Sequence, residues 1–209
     1  MTLAVSEQRL VEALRAGDQA AFEQLIRMYQ ASLLRVARIY VSSRSVAEEV
    51  VQETWLGVLN GIGRFEGRSS LKTWIFRILT NTAKTRGVRE SRSIPFSALD
   101  DPALAGSVVD PTRFLPPDDP VDPGGWAVPP APLPEQALLA RETLGVIEAA
   151  IEALPPAQQA VITLRDVEGW SSEEVRNTLE VSETNQRVLL HRARSKVRSA
   201  LEEYVSEAT

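Results

Sequence analysis

The chain has 209 residues, a formal net charge of −5 and a hydrophobic fraction of 44%, enough for one large domain or two small ones with real cores. It carries no cysteine and one histidine, His191, which excludes disulfides, thiolate nucleophiles, zinc sites built on nitrogen or sulfur ligands, and triads that need a histidine base. No apolar run is long enough to cross a bilayer and the start MTLAVSEQRL has no signal-peptide pattern, so a cytoplasmic protein with no membrane partner is expected.

Apolar residues recur at spacings of three and four without sustained alternation, so the expected fold class is all-α. Asp18 can cap a helix whose face carries Phe22, Leu25, Ile26, Tyr29, Leu33 and Val36. Ser45 and Glu48 form an S-x-x-E capping box for the next helix, which bears Val50, Val51, Trp55 and Val58. The glycine-bearing stretch NGIGRFEGRSS, residues 60–70, interrupts the pattern, and Ser69 or Ser70 can start a helix through Leu71, Trp74, Ile75, Ile78 and Leu79. From Arg64 to Arg92 eight bases stand against two acids, a concentration unexpected in an acidic chain. Phe65 and Trp74 set aromatic faces among these cations, a mixture suited to unstacked bases on single-stranded nucleic acid. For Trp74 a place in the helix core beside Ile75 and Ile78 is the preferred reading.

Eleven of the thirteen prolines lie between Pro95 and Pro134, and from Ala98 to Gln136 seven acids face Arg113 alone. Such sequence sustains neither helix nor sheet and is expected to be an extended or disordered tether when free. It separates an expected domain at 1–92 from another at 135–209, with a linker at 93–134.

In the second block one helix is expected over about 135–153, ended by Pro155 and Pro156. Ser171 and Glu174 form another capping box, with Trp170 and Val175 at the two positions of a hydrophobic staple. Leu179, Glu180 and Val181 make a short turn, and Ser182 caps a basic helix. Two helices so joined give helix-turn-helix geometry. On the basic helix Leu190, Ala193, Val197, Leu201 and Tyr204 share one face, while Arg187, His191, Arg194 and Arg198 form a stripe with no neutralising acid expected before Glu202. A solvated charged face is the plain alternative, and the capped turn in front favours duplex DNA. Ser182, Thr184, Asn185 and Arg187 lie where a recognition helix reaches base edges, and Asn185 or Gln186 has the chemistry to pair with adenine. Arg192, Arg194 and Lys196 suit phosphates. His191 suits a base, the backbone or simple packing.

The stretches SVAEEVVQETWLGVLNGIGRFEGRSSLKTWIFRILTN and LPPAQQAVITLRDVEGWSSEEVRNTLEVSETNQRVLLHRARSKV, in this order around the proline-rich segment, resemble the extracytoplasmic-function (ECF) group of bacterial sigma factors. The resemblance implies two small helical domains on a flexible linker, the second a helix-turn-helix. Its implied partners are core RNA polymerase, at the clamp helices of the largest subunit and the flap of the second, and promoter DNA, both duplex and melted. An anti-sigma partner is common in that family. By position, Glu49, Gln52, Glu53 and Trp55 would face the polymerase. Arg64, Phe65 and Arg68 would capture an extruded base of the downstream promoter element, and Lys72, Arg77, Asn81 and Lys84 would track the opening strand. Arg187, Val188, His191 and Arg192 would read the upstream element. The chain departs from the family at Glu180, where relatives commonly have glycine, and at Asn185–Leu189, so base preference does not transfer. The linker's acids would suit basic polymerase channels, with Phe114, Leu115 and Trp126 as anchor points.

No catalytic residue, metal or cofactor is expected. A stand-alone helix-turn-helix regulator is the alternative, though it offers no use for the first domain. A metal enzyme built on Glu48, Glu49 and Glu53 would lack the histidine partners of E-x-x-H motifs.

Overall fold

The computed structural model describes residues 5–89 and 137–207, and the linker expected at 93–134 lies outside them with Phe114, Leu115 and Trp126. Among the described residues eight α-helices and no strand occur. The chain divides into two compact units, one of Met1–Ile94 with Glu173–Glu180 and one of Pro95–Ser172 with Val181–Thr209. The short segment Glu173–Glu180 thus groups with the first unit, a refinement that sequence order alone does not suggest.

The first unit contains α1 (Val5–Arg15), α2 (Gln19–Tyr40), α3 (Arg44–Gly61), a 3-10 turn (Ile62–Arg64) and α4 (Leu71–Arg89). Asp18 caps α2 as expected, accepting from the amides of Ala20 and Ala21 at 2.8 and 3.2 Å. The cap of α3 differs from expectation. Ser43 accepts from the Val46 amide at 3.3 Å, while Glu48 turns aside to pair with Arg44 at 2.9 Å, so the Ser45–Glu48 box does not form. Ser70 begins α4, its hydroxyl accepting from the Thr73 amide at 3.1 Å.

Helices α2, α3 and α4 pack on one another around Leu25, Leu33, Val36, Val50, Val51, Ile75, Phe76 and Leu79, all fully buried. Edge-to-face pairs Phe22–Trp55 at 5.8 Å and Tyr29–Phe76 at 6.1 Å fill the space between helices. Close approach is set by small residues. A methyl group added at Gly57 would lie 3.1 Å from Ile78, and one added at Gly87 would overlap the Tyr40 carbonyl oxygen.

The second unit contains α5 (Ala137–Glu152) and α6 (Pro156–Ile162), both packed on α8 (Glu183–Glu207). Pro156 occupies the first turn of α6, where its missing N–H costs nothing. The helix then widens into a π turn at Thr163–Val167, and Gly169 reverses the chain at φ +69°. Leu154, Val161, Leu164, Leu189, Leu190, Ala193 and Val197 form the core.

Helix α7 (Ser172–Leu179) precedes the turn into α8. Trp170 and Val175 are both buried, and Ser182 caps α8 by accepting from the Asn185 amide at 3.2 Å. Glu180 is the one non-glycine residue with positive φ among those described, at 61°. A left-handed L-residue costs about 1–2 kcal/mol, against about 0.5–1 kcal/mol for the extra unfolded-state freedom of glycine. In an Arg77→Ala background, where the Arg77–Glu180 ion pair is already gone, Glu180→Gly is therefore expected to stabilise the chain by about 0.5 kcal/mol, read as a small rise in Tm, and a fall would refute the strain.

Candidate nucleic-acid and partner surfaces

Helix α3 presents Glu49, Gln52 and Glu53 outward, and the same stripe continues into Leu56 and Leu59, which are 59% and 49% exposed. These two leucines were missed in the sequence, although Leu56, four residues beyond Gln52, and Leu59, three beyond Leu56, fall on that face by helical spacing. Arg86 of α4 donates to Glu49 at 2.9 Å and to Glu53 at 2.7 Å, tying the acids to the neighbouring helix. Trp55 does not join the exposed stripe. Its ring is buried against Phe22 and its indole N–H donates to Gln30 at 2.8 Å, because position 55 falls on the inner face with Val51 and Val58.

In the loop after α3, Arg64 and Arg68 are exposed and Arg68 pairs with Glu66 at 3.0 Å. Phe65 turns inward, contrary to its expected role as an open stacking face: its ring lies 5.0 Å from that of Trp74, tilted by 43°. Trp74 accordingly belongs to the packing between the loop and α4. Along α4, Lys72 pairs with Glu174 at 2.6 Å and Arg77 with Glu180, both within the first unit. Asn81 is exposed, and burial pulls the Lys84 ammonium below its ordinary pKa, an effect opposed by Glu180. An open polar cleft of about 340 Å³ lies between Glu53, Asn81, Thr82, Thr85, Arg86 and Arg89.

On α8 the expected contact residues separate by depth. Ser182, Thr184, Arg187 and Val188 are exposed, while Asn185, His191, Arg192 and Lys196 are half-buried. Glu183 opens the helix and pairs with Arg187 at 2.5 Å, correcting the expectation of no acid before Glu202. Gln186 is buried and receives a hydrogen bond from the Ser172 hydroxyl at 2.8 Å, which leaves Asn185 as the accessible amide.

Arg194 is the main correction. Its side chain is 10% exposed and holds Asp166 of the π turn through Nε and Nη2, both at 2.9 Å, so it is committed to the fold and not to a phosphate. Arg198, 1% exposed, pairs with Glu202 at 2.7 Å. The signal was available: 190, 194, 197 and 201 follow the four-three-four spacing of a buried seam. Burial, then Arg192 and Arg194, lower the pKa of His191, which favours the neutral ring over the cation.

Among the described residues no group of acids or histidine is placed to hold a metal ion, and no helix is long and apolar enough to cross a membrane.

Two family models match the chain in tandem: sigma-70 region 2 over residues 25–93 and sigma-70 region 4 over residues 144–197. The chain is 29% identical over 202 residues to the RNA polymerase sigma-H factor of Pseudomonas aeruginosa, covering 97% of each. It is 30% identical over 197 residues to the ECF RNA polymerase sigma-E factor of Escherichia coli K12, covering 94% of this chain and 95% of that protein. Among solved structures, CnrH in complex with the cytosolic domain of CnrY aligns with TM-score 0.59 at 19% identity, over 94% of this chain and 97% of that one. The sigma factor RpoE of Bartonella quintana, in complex with the anti-sigma factor NepR, aligns with TM-score 0.56 at 22% identity, over 87% and 96%. Both likenesses are of fold.

Proposed function

This chain belongs to the ECF group of RNA polymerase sigma factors, and from that membership we propose how its two units divide the work of initiation. It is a DNA-binding transcription initiation factor whose partners are core RNA polymerase and promoter DNA. In the proposed division, domain 1–92 docks on the polymerase through Glu49, Gln52, Glu53, Leu56 and Leu59 and opens the downstream element. Domain 135–209 holds the upstream element through the start of α8, and 93–134 tethers the two. The work is done in the cytoplasm by binding energy, without covalent chemistry. Unstacking a base costs a few kcal/mol, which capture at Arg64 and Arg68 and cationic contacts along α4 offset. An anti-sigma protein that sequesters the chain is part of the proposal, supported by the complex of the Bartonella quintana relative with the anti-sigma factor NepR.

The observation that carries the reading is the order of the two sigma-70 regions in a chain aligned nearly end to end with sigma factors, with exposed Thr184, Arg187 and Val188 at the head of the second helix-turn-helix element. Run-off transcription with core polymerase tests it: promoter-specific transcripts are expected only with the chain present. Tight operator binding without core association would instead mark a stand-alone regulator. Within the holoenzyme, Arg187→Ala and Arg192→Ala are each expected to reduce the salt slope of upstream-element binding by about one, whereas Arg194→Ala should leave the slope unchanged where the protein stays folded.

A further inference from the structure

Helix α1 has no part in the division of labour above, yet it holds the loop between α3 and α4 at both ends. Arg15, in its last turn, donates from Nε to the Ile62 carbonyl at 3.4 Å and from Nη2 to the Phe65 carbonyl. Glu7, near its start, accepts from the Leu71 amide, one of the N–H groups that the first turn of α4 leaves without an intrahelical partner. Val11 and Leu14, buried between these two residues, seat the helix. Eight residues of α-helix separate the two anchors by about 12 Å, so α1 acts as a ruler across the loop.

Inside that span the backbone has little stiffness of its own. Gly63 and Gly67 both permit wide freedom, and Gly67 takes φ +70°. The Ile62 carbonyl already receives the Phe65 amide at 3.2 Å, and Arg15 adds a second, charged donor to the same turn. Phe65 anchors the loop from below by packing on Trp74. With those points held, Arg64, Glu66 and Arg68 are the loop side chains left facing outward. Their presentation depends on α1.

We infer that Arg15 and Glu7 are positioning residues for the base-capturing loop: they preorganise Arg64 and Arg68 and so set the discrimination among downstream promoter elements. The inference rests on the proposed role of that loop. Ordering a loop before binding removes an entropy cost that capture would otherwise carry, so losing the anchors weakens selection without touching the docking stripe on α3 or the reading end of α8.

The test uses the full chain with core polymerase and compares wild type with Arg15→Ala, Arg15→Lys, Glu7→Ala and Glu7→Gln. Permanganate reactivity reads opening on a matched promoter and on single-base variants of its downstream element; core affinity and upstream-element gel shifts are controls. Arg15→Ala is expected to lose about tenfold in opening, and to compress the difference between matched and variant promoters, with both controls unchanged. Glu7→Gln keeps an acceptor for the Leu71 amide and should behave as wild type, while Glu7→Ala should follow Arg15→Ala. Arg15→Lys should fall between, since an ammonium keeps the charge but lacks the guanidinium's fixed fork of donors, and it decides the matter if Arg15→Ala fails to fold. Unchanged discrimination in a folded variant at Arg15, or an equal loss of core affinity and opening, overturns the inference. A wild-type chain that opens no promoter with core polymerase overturns the underlying reading, and this inference with it.

Discussion

Phe65→Ala is expected to destabilise the first unit by about 3 kcal/mol, the low end for removing a buried aromatic side chain, because the loop can partly collapse into the space. The ring is 5% exposed and packs on Trp74, so its removal also strips the underside from the turn that Arg15 holds. Arg64→Ala, one residue away and exposed, should stay within about 0.5 kcal/mol of wild type. Chemical denaturation of the two variants checks the contrast. It also governs how a loss of promoter opening is interpreted: a defect in Phe65→Ala mixes a collapsed loop with a lost contact, whereas one in Arg64→Ala reports on capture. A Phe65→Ala chain of undiminished stability that no longer opens DNA would show that the ring is free to swing out to a base.

Gly87→Ala gives opposite signs depending on which physics dominates. Helix propensity alone favours alanine by about 1 kcal/mol in the interior of α4. The added methyl, however, would meet the backbone carbonyl of Tyr40, an atom held by the end of α2 and unable to rotate away as a flexible side chain would. Overpacking of this kind costs about 1–3 kcal/mol, so a net loss of stability and a lower Tm are expected. A higher Tm would show that α2 and α4 can separate far enough to clear the overlap with the Tyr40 carbonyl without penalty.

Much of this molecule is visible as local pattern. The caps at Asp18, Ser70 and Ser182 depend on a side chain and an amide two or three residues apart, and they form as written. The left-handed residue in the helix-turn-helix turn follows from a glycine position occupied by Glu180. The misplaced cap of α3 is instructive, since Ser43 and Ser45 both have the capping chemistry, and the structure uses Ser43 while Glu48 pairs with Arg44.

The candidate site was legible in outline and misread in depth. Charge pattern identified the basic helix, but a run of arginines does not reveal which of them has an acid waiting in another element. Arg194 meets Asp166 from a π turn that no periodicity announces, and Arg187 meets Glu183 just outside the span that looked free of acids. Trp55 and Phe65, the aromatic residues that most resembled contact points, are core residues because the neighbouring helices present Phe22 and Trp74 to them.

Sequence alone was sufficient for helical class and the helix-turn-helix, because these rest on spacing along the chain, while membership of the sigma factors was legible from the resemblance of its motifs to that family. Only tertiary structure decided which cations are available to DNA, which aromatic rings are buried, and that α1 braces the loop from Glu7 to Leu71 and from Arg15 to Ile62 and Phe65. The long-range outcomes depend on pairs from 28 residues apart, for Arg194 and Asp166, to 64, for Glu7 and Leu71, whose meeting is set by how the helices pack and leaves no mark in local periodicity.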